Sequence, residues 1–210
     1  MKIHSENFIH NRPIPAEFAF GRIGDAGEPC VLSANRNPHL AWDEVPEGTA
    51  SFALICVDPD APSRGDDVNL PDRSVSKLLP RTEFHHWAVV DLPASLRQIA
   101  AGALSDGVVA HGKPDAAIPG GGRQGINDYT GWFAADADMR GAYHGYDGPC
   151  PPFNDEIPHR YFFRLFALDV PTLDLPQGFT APQVLAAMHG HVLAEALVAG
   201  SYTLNPALAG

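Results

Sequence analysis

The chain has 210 residues and a 45% hydrophobic fraction, which suits one domain with a real core. Its formal net charge of −11 argues against a nucleic-acid backbone or an anionic membrane surface as the main partner, so any bound anion needs a local cluster of donors. Twenty glycines and twenty prolines point to many turns and short strands, not to long helices.

The first fifteen residues contain no apolar stretch of the kind a secretory signal needs, and no run approaches bilayer-spanning length. Cys30, Cys56 and Cys150 are odd in number, widely spaced and without a CxxC. The expectation is a cytoplasmic protein with reduced thiols, neither a disulfide framework nor a zinc site. Cys56 sits in an apolar run and reads as a small core residue. Residues 1–28 form a polar, irregular or edge-strand lead-in. Leu40 and Trp42 between turn signals predict a short strand within 37–48. Residues 51–57, SFALICV, predict a central strand covered on both faces. The DPDAP of residues 58–62 then predicts a turn that presents Asp58 and Asp60, with Pro59 and Pro62 stiffening the backbone. Residues 63–82 read as a charged loop. Residues 84–92, FHHWAVVDL, predict another strand. Alternation groups His86 with Ala88 and Val90, opposite His85, Trp87 and Val89, so both histidines can line one pocket only if a bulge intervenes.

Residues 102–147 are long and Gly-rich. The GGGRQG of 120–125 lacks the Gly-Lys-Ser/Thr ending of a phosphate loop and follows no buried strand, which predicts a flexible surface loop. Tyr129, Trp132, Phe133 and Tyr143 indicate that the region packs locally or against a partner. The GPCPP of 148–152 is a stiff, non-helical turn. A polar loop over 154–158 leads into an aromatic strand over 161–168, with His159 and Arg160 at its mouth. The TAPQ of 180–183 reads as a capping box, and Val184, Leu185, Met188, Val192 and Leu193 predict a helix running to a stop at Gly200. Residues 201–204 add a final short strand. No repeat or composition break divides residues 1–210, so one domain is expected.

Three distant segments, DPDAP, FHHW and GPCPP with the later HRY, each put a polar group at the end of a core strand. That is the pattern of loops converging on a pocket at one end of a sheet. His86 and His159 can donate to an anion. Asp58 can orient an imidazole, accept from a monoprotonated phosphate or meet a ligand amine. Arg160 suits either neutralising Asp60 or touching a ligand.

With Gly145-Tyr146 added, these motifs resemble the phosphatidylethanolamine-binding proteins, in particular their bacterial, Raf-kinase-inhibitor-like branch, in order and rough spacing across residues 30–205. The resemblance implies a mostly β fold with a large antiparallel central sheet, a smaller second sheet and a few peripheral helices. It also implies a small cavity for phosphate-like anions and phospholipid head groups. Position by position, the cavity would use Asp58, His86, the Cys150-Pro151 backbone, His159 and Tyr161, with Asp60, Pro62, Trp87 and Arg160 in support, and with no metal or cofactor. A C-terminal helix near the pocket would correspond to residues 184–199. Phe84 stands where eukaryotic members have Trp, the loop 153–158 is longer than usual, and residues 131–144 read as an insertion that reshapes the cavity mouth or builds a homodimer contact.

The function expected from this resemblance is non-enzymatic binding of a small anionic or phospho-ligand, linked to regulation of a partner kinase or protease, without nucleic acid or stable membrane insertion. A different class, a metal-dependent or acid/base hydrolase on Asp58, Asp60, His86 and His159, is chemically feasible, although no HExxH or GxSxG occurs. A third option is self-association through residues 120–147 beside a vestigial pocket. Protonation of two imidazoles below about pH 6.5 should tighten anion binding.

Overall fold

A computed structural model describes residues 1–118 and 120–208. Among them the strands are β1 (Lys2–His4), β2 (Arg12–Pro13), β3 (Gly21–Arg22), β4 (Val31–Leu32), β5 (Leu40–Asp43), β6 (Ser51–Pro62), β7 (Arg81–Pro93), β8 (Gln98–Ile99), β9 (Arg123–Gln124), β10 (His159–Leu168) and β11 (Val192–Tyr202). Two short helices are α1 (Tyr129–Trp132) and α2 (Ala181–Ala187). The main sheet has the order β2-β11-β10-β6-β7-β9. Its pairings are antiparallel except at the edge, where β2 runs parallel to β11. Smaller sheets are β1-β5-β8 and the pair β3-β4. The architecture is therefore mostly β, with one mixed edge that the antiparallel expectation lacked.

The continuous apolar run on β6 is explained by cover on both faces. On one side Tyr161, Phe163 and Leu165 of β10 pack with Phe52, Leu54, Cys56 and Trp87. On the other, Phe166 and Leu168 pack with Ala53, Ile55, Val57, Ala88, Val90 and Val184 of α2. Alternate residues leave the pleat on opposite sides, so one strand supplies both layers. Each large side chain so buried contributes roughly 1.5–3 kcal/mol.

Three expected elements are corrected. The DPDAP of residues 58–62 is not a turn but the continuation of β6. Its ladder slips between Asp58 and Ala61, which takes Pro59 out of regular pairing, so its missing N–H leaves no gap in the hydrogen bonding. The helix from Thr180 stops at Ala187, and residues 192–202 form β11 rather than more helix. Gly190, at φ +85, turns the chain back. The stretch also carries a period of two, with Ala194, Ala196 and Val198 on the core side, and alanine is too small to reveal which period governs. Pairing along β10 decides it. Gly200 is a close-contact position and not a helix stop, since a Cβ there would lie 2.4 Å from Ile14 Cγ1. Finally, the glycines at 121 and 122 turn with φ +110 and +114 and deliver Arg123 and Gln124 onto β7 as an edge strand, not a flexible loop. Arg123 Nε donates to Asp91 Oδ2 at 2.7 Å, and Gln124 Oε1 accepts from Trp87 Nε1 at 3.0 Å. The aromatic residues downstream pack locally, Tyr129 and Tyr143 with Phe20 and Phe133.

Candidate functional site

The site forms where β6, β7 and β10 leave the sheet at one end. His85 pairs with Val57 and Trp87 with Cys56, so the ladder skips His86. This bulge turns His86 to the same side as its neighbour Trp87, and its ring packs 5.1 Å from that of Tyr161. His85 is left on the other side, where Asp128 Oδ2 accepts from its backbone N at 2.7 Å and lies 3.1 Å from its Nδ1.

His86 is buried, and its Nδ1 lies 2.7 Å from the carbonyl oxygen of Asp147. A carbonyl only accepts, so Nδ1 carries the proton and Nε2 of the neutral ring holds a lone pair. The Asp147 carboxylate is itself fixed by Asn35, Lys113 and Asn127 at 2.7, 3.0 and 2.7 Å, which holds that carbonyl in place. Burial pushes the His86 imidazole below its ordinary 6.5, outweighing the nearby Asp58 charge and the Asp147 hydrogen bond.

His159 has a different environment. Its Nδ1 lies 2.7 Å from Asp58 Oδ2 and its Nε2 lies 3.1 Å from Asp155 Oδ2. Two carboxylates on two ring nitrogens call for an imidazolium. Burial opposes that charge, but the hydrogen bonds and charges of Asp155 and Asp58 overcome it and raise the group to about 9. Asp155 also takes a bidentate pair from Arg81 at 2.6 and 3.0 Å. Despite burial, the bonds from His159 and Arg81 hold its carboxyl below the usual range. Asp58 Oδ1 accepts from the backbone N of Asp60 at 2.7 Å. Asp60 accepts from Arg160 Nε, Nη2 and backbone N at 2.8, 2.7 and 2.9 Å.

Above this polar floor lies a cavity of about 480 Å³. Asp58, Pro62, His86, Cys150, Pro151, His159 and Tyr161 line it, so every residue expected to contact ligand borders one space. Asp60, Trp87 and Arg160 stand outside it. Asp60 and Arg160 brace each other, and Trp87 packs edge-on against Tyr146 beneath the sheet. His159 borders the cavity, but both its nitrogens are spent on carboxylates, so it has no free donor. The buried polar atoms left on the cavity wall are His86 Nε2 and Tyr161 Oη, both without a hydrogen-bond partner among the described residues, while Arg64, Asn69 and Thr82 add polar groups elsewhere on the lining. Burial first, then the Asp58 charge, raises the Tyr161 phenol and keeps it protonated.

Sequence reasoning missed Asp155, Arg81 and Asp147: Asp155 lies in the polar loop before His159, Asp147 between Gly145-Tyr146 and the GPCPP turn, and Arg81 at the start of β7, and nothing local marks them as reaching the site. It also missed the wall of Phe20, Tyr129 and Phe133 beside Phe84. Of the 184–199 segment only 184–187, the end of α2, is helical, and none of it lines the cavity. Instead β11 flanks the site, with Tyr202 opposite His159, and Asn205 Nδ2 donates to the Asp155 carbonyl at 2.7 Å. No group of three or more His, Cys, Asp or Glu side chains placed to hold a metal occurs among the described residues, and none of their helices is long and apolar enough to cross a membrane.

The GPCPP turn is seated by Gly148, where a Cβ would lie 2.1 Å from the Phe18 carbonyl oxygen and 3.0 Å from Ala19 Cα. Backbone cannot yield as a side-chain tip does. Gly148→Ala should therefore cost about 1–3 kcal/mol in urea denaturation, and an unchanged midpoint would show that the turn tolerates displacement.

The profile of the family described as phosphatidylethanolamine-binding protein matches residues 4–203. A UPF0098 protein of Aquifex aeolicus is 37% identical over 166 residues, which is 79% of this chain and 73% of that one. The UPF0098 protein YbhB of Escherichia coli is 31% identical over 203 residues, 97% of this chain and 100% of its own. Among solved structures, Escherichia coli YbcL, described as a member of the mammalian PEBP family, aligns with a TM-score of 0.67 at 25% identity, covering 96% of this chain and 97% of that one. A phosphatidylethanolamine-binding protein homolog of Chlamydia trachomatis aligns at 0.62 with 28% identity, covering 96% and 95%.

Proposed function

This chain belongs to the phosphatidylethanolamine-binding protein family, and from that premise we propose that its cavity binds, without chemical turnover, a small ligand bearing a phosphate-like anion. The observation that carries the proposal is the pair of buried, unpartnered polar atoms, His86 Nε2 and Tyr161 Oη, on the wall of one cavity. Buried polar groups are costly unless satisfied, and a ligand oxygen satisfies both. Tyr161 donates to that oxygen. His86 either accepts from the O–H of a monoprotonated phosphate or takes up a proton and then donates.

Charge bookkeeping refines this. Asp58, Asp60 and Asp155 face His159, Arg81 and Arg160, three negative groups against three positive. The floor is balanced and the rim adds Arg64, which is exposed and 3.5 Å from Asp66, so the positive charge that varies with pH arrives as a proton on His86. The cavity, at about 480 Å³, has room for a drug-sized ligand. Its Phe20, Phe84, Tyr129 and Phe133 walls suit an apolar extension of the ligand. For a hydrolase, His159, protonated and spent on two carboxylates, has no lone pair with which to act as a base, which leaves that role to His86 Nε2 alone among the four residues such a reading would use.

The test is a thermal-shift titration with inorganic phosphate and phosphoethanolamine at pH 6 and pH 8. A saturable shift, larger at pH 6, is expected, corresponding to about 2.7 kcal/mol at one hundred times the dissociation constant. No shift with either anion at either pH would overturn the reading.

A further inference from the structure

Cys30 and Cys150 lie 120 positions apart in the chain, yet their sulfurs are 3.7 Å apart. The sequence spacing gave no hint of this. Three elements build the approach. The backbone N–H groups of Phe20 and Gly21 both donate to the Pro149 carbonyl, at 2.9 and 3.2 Å, which fixes the start of β3 to the GPCPP turn. Strand β4, which Cys30 directly precedes, pairs with β3. Gly21 then leaves space for both sulfurs, since a Cβ there would lie 2.6 Å from Cys150 Sγ and 2.7 Å from Cys30 Sγ. Cys30 is exposed, whereas Cys150 is only partly accessible. Cys56 is fully buried.

We propose that Cys30 and Cys150 are a peroxide-reactive dithiol, in which Cys30 attacks a hydroperoxide and Cys150 converts the product into an intramolecular disulfide. The Cys30 thiolate attacks one oxygen of hydrogen peroxide. An S–O bond forms, the O–O bond breaks, and the departing hydroxide takes a proton and leaves as water. Cys150 then attacks the Cys30 sulfenic sulfur. The S–S bond forms, the S–O bond breaks, and the hydroxyl leaves with the Cys150 proton as a second water. Two thiols thus give two electrons and two protons to one peroxide, and nothing else is consumed.

Protonation states match the assigned roles. Hydrogen bonding from Cys150, against the effect of burial, lowers the Cys30 thiol to about 7, so the exposed sulfur is substantially thiolate at neutral pH. Its bond with Cys30, together with burial, raises Cys150 and keeps it a thiol until the second step. Joining the sulfurs requires closing from 3.7 Å to the roughly 2 Å of a disulfide, a movement that rotation about χ1 of the exposed Cys30 can supply.

The experiment treats the reduced full-length chain with hydrogen peroxide, blocks remaining thiols by alkylation, and maps peptides without reduction. The expected product is a monomer lighter by two hydrogen atoms, with the Cys30 and Cys150 peptides linked and Cys56 alkylated only after denaturation. Cys150→Ser should accumulate a Cys30 sulfenic acid that dimedone traps. Cys30→Ser, checked by its melting curve, should slow peroxide consumption at least about ten-fold. The proposal fails if the linked peptide is absent at doses that oxidise glutathione completely. It fails equally if the disulfide is mainly between molecules, or if Cys30→Ser reacts as fast as the parent.

Discussion

His159→Ala should destabilise the fold by about 3–5 kcal/mol, because it removes the cation between two buried carboxylates, leaving Asp58 without a charged partner and Asp155 with Arg81 alone. Asp58 and Asp155 are 3% and 1% exposed, so water cannot replace what the imidazolium supplied. For a chain of this size the melting temperature should fall on the order of 10 °C. The sign of the pH dependence separates this account from simple loss of packing. In the native protein His159 is raised from 6.5 to about 9, so its contribution is fully present below pH 6.5 and is lost as pH rises through 9. The loss is on the order of 3 kcal/mol, and the urea midpoint should decline across that window. In His159→Ala the decline should vanish. The deficit against the parent should also shrink on the acid side, where the two facing carboxyls can take up a proton. A variant that keeps the parent's alkaline decline would show that His159 is not the titrating group.

Tyr161→Phe should have nearly opposite effects on stability and binding. It removes a buried hydroxyl that has no hydrogen-bond partner among the described residues, so folding stability should be unchanged or slightly higher. If that hydroxyl donates to a bound anion, affinity for phosphate should fall by about 1.5–3 kcal/mol, roughly ten- to a hundred-fold. His86→Phe, which keeps an aromatic ring among Phe84, Tyr129 and Tyr161, should weaken phosphate similarly and flatten the pH dependence of binding. The parent should bind more tightly as pH falls toward and below 6.5, by at most one proton's worth, because His86 alone remains to be charged. Calorimetric titration in two buffers of different ionisation enthalpy would count that proton. A Tyr161→Phe protein that binds phosphate as well as the parent would remove the hydroxyl from the proposed site.

The contrast between the two histidines shows what the sequence could and could not convey. Alternation along residues 84–92 put His86 on the side of Ala88 and Val90, whereas the bulge carries it over to the side of Trp87, and a bulge is set by the partner strand and leaves no local mark. His159 was legible as a polar group at the mouth of a core strand. Its capture by Asp155 was not, because that contact depends on how a loop of residues 154–158 folds back. The strands that carry large apolar residues, Ser51–Pro62 and His159–Leu168, were read correctly at their centres, where burial of Phe, Leu and Ile outweighs every competing preference. The alanine-rich Val192–Tyr202 was misread, because small side chains fit either a helical or a strand period and only pairing along β10 breaks the tie. Prolines at 59 and 62 signalled a turn for sound local reasons, and a slip in the ladder overrode them.

The cavity is made of two unlike halves. Its floor comes from β6, β7 and β10, whose side chains also hold the central sheet together, so a change there endangers folding. Its outer wall comes from Phe20, Tyr129 and Phe133, which stack on one another on short segments outside the sheet, with the exposed Trp132 beside them. Selection can therefore rewrite the wall while the floor stays fixed. If the floor holds an anion as proposed, descendants of one ancestral scaffold can diverge in the apolar part of what they accept and still share the polar grip.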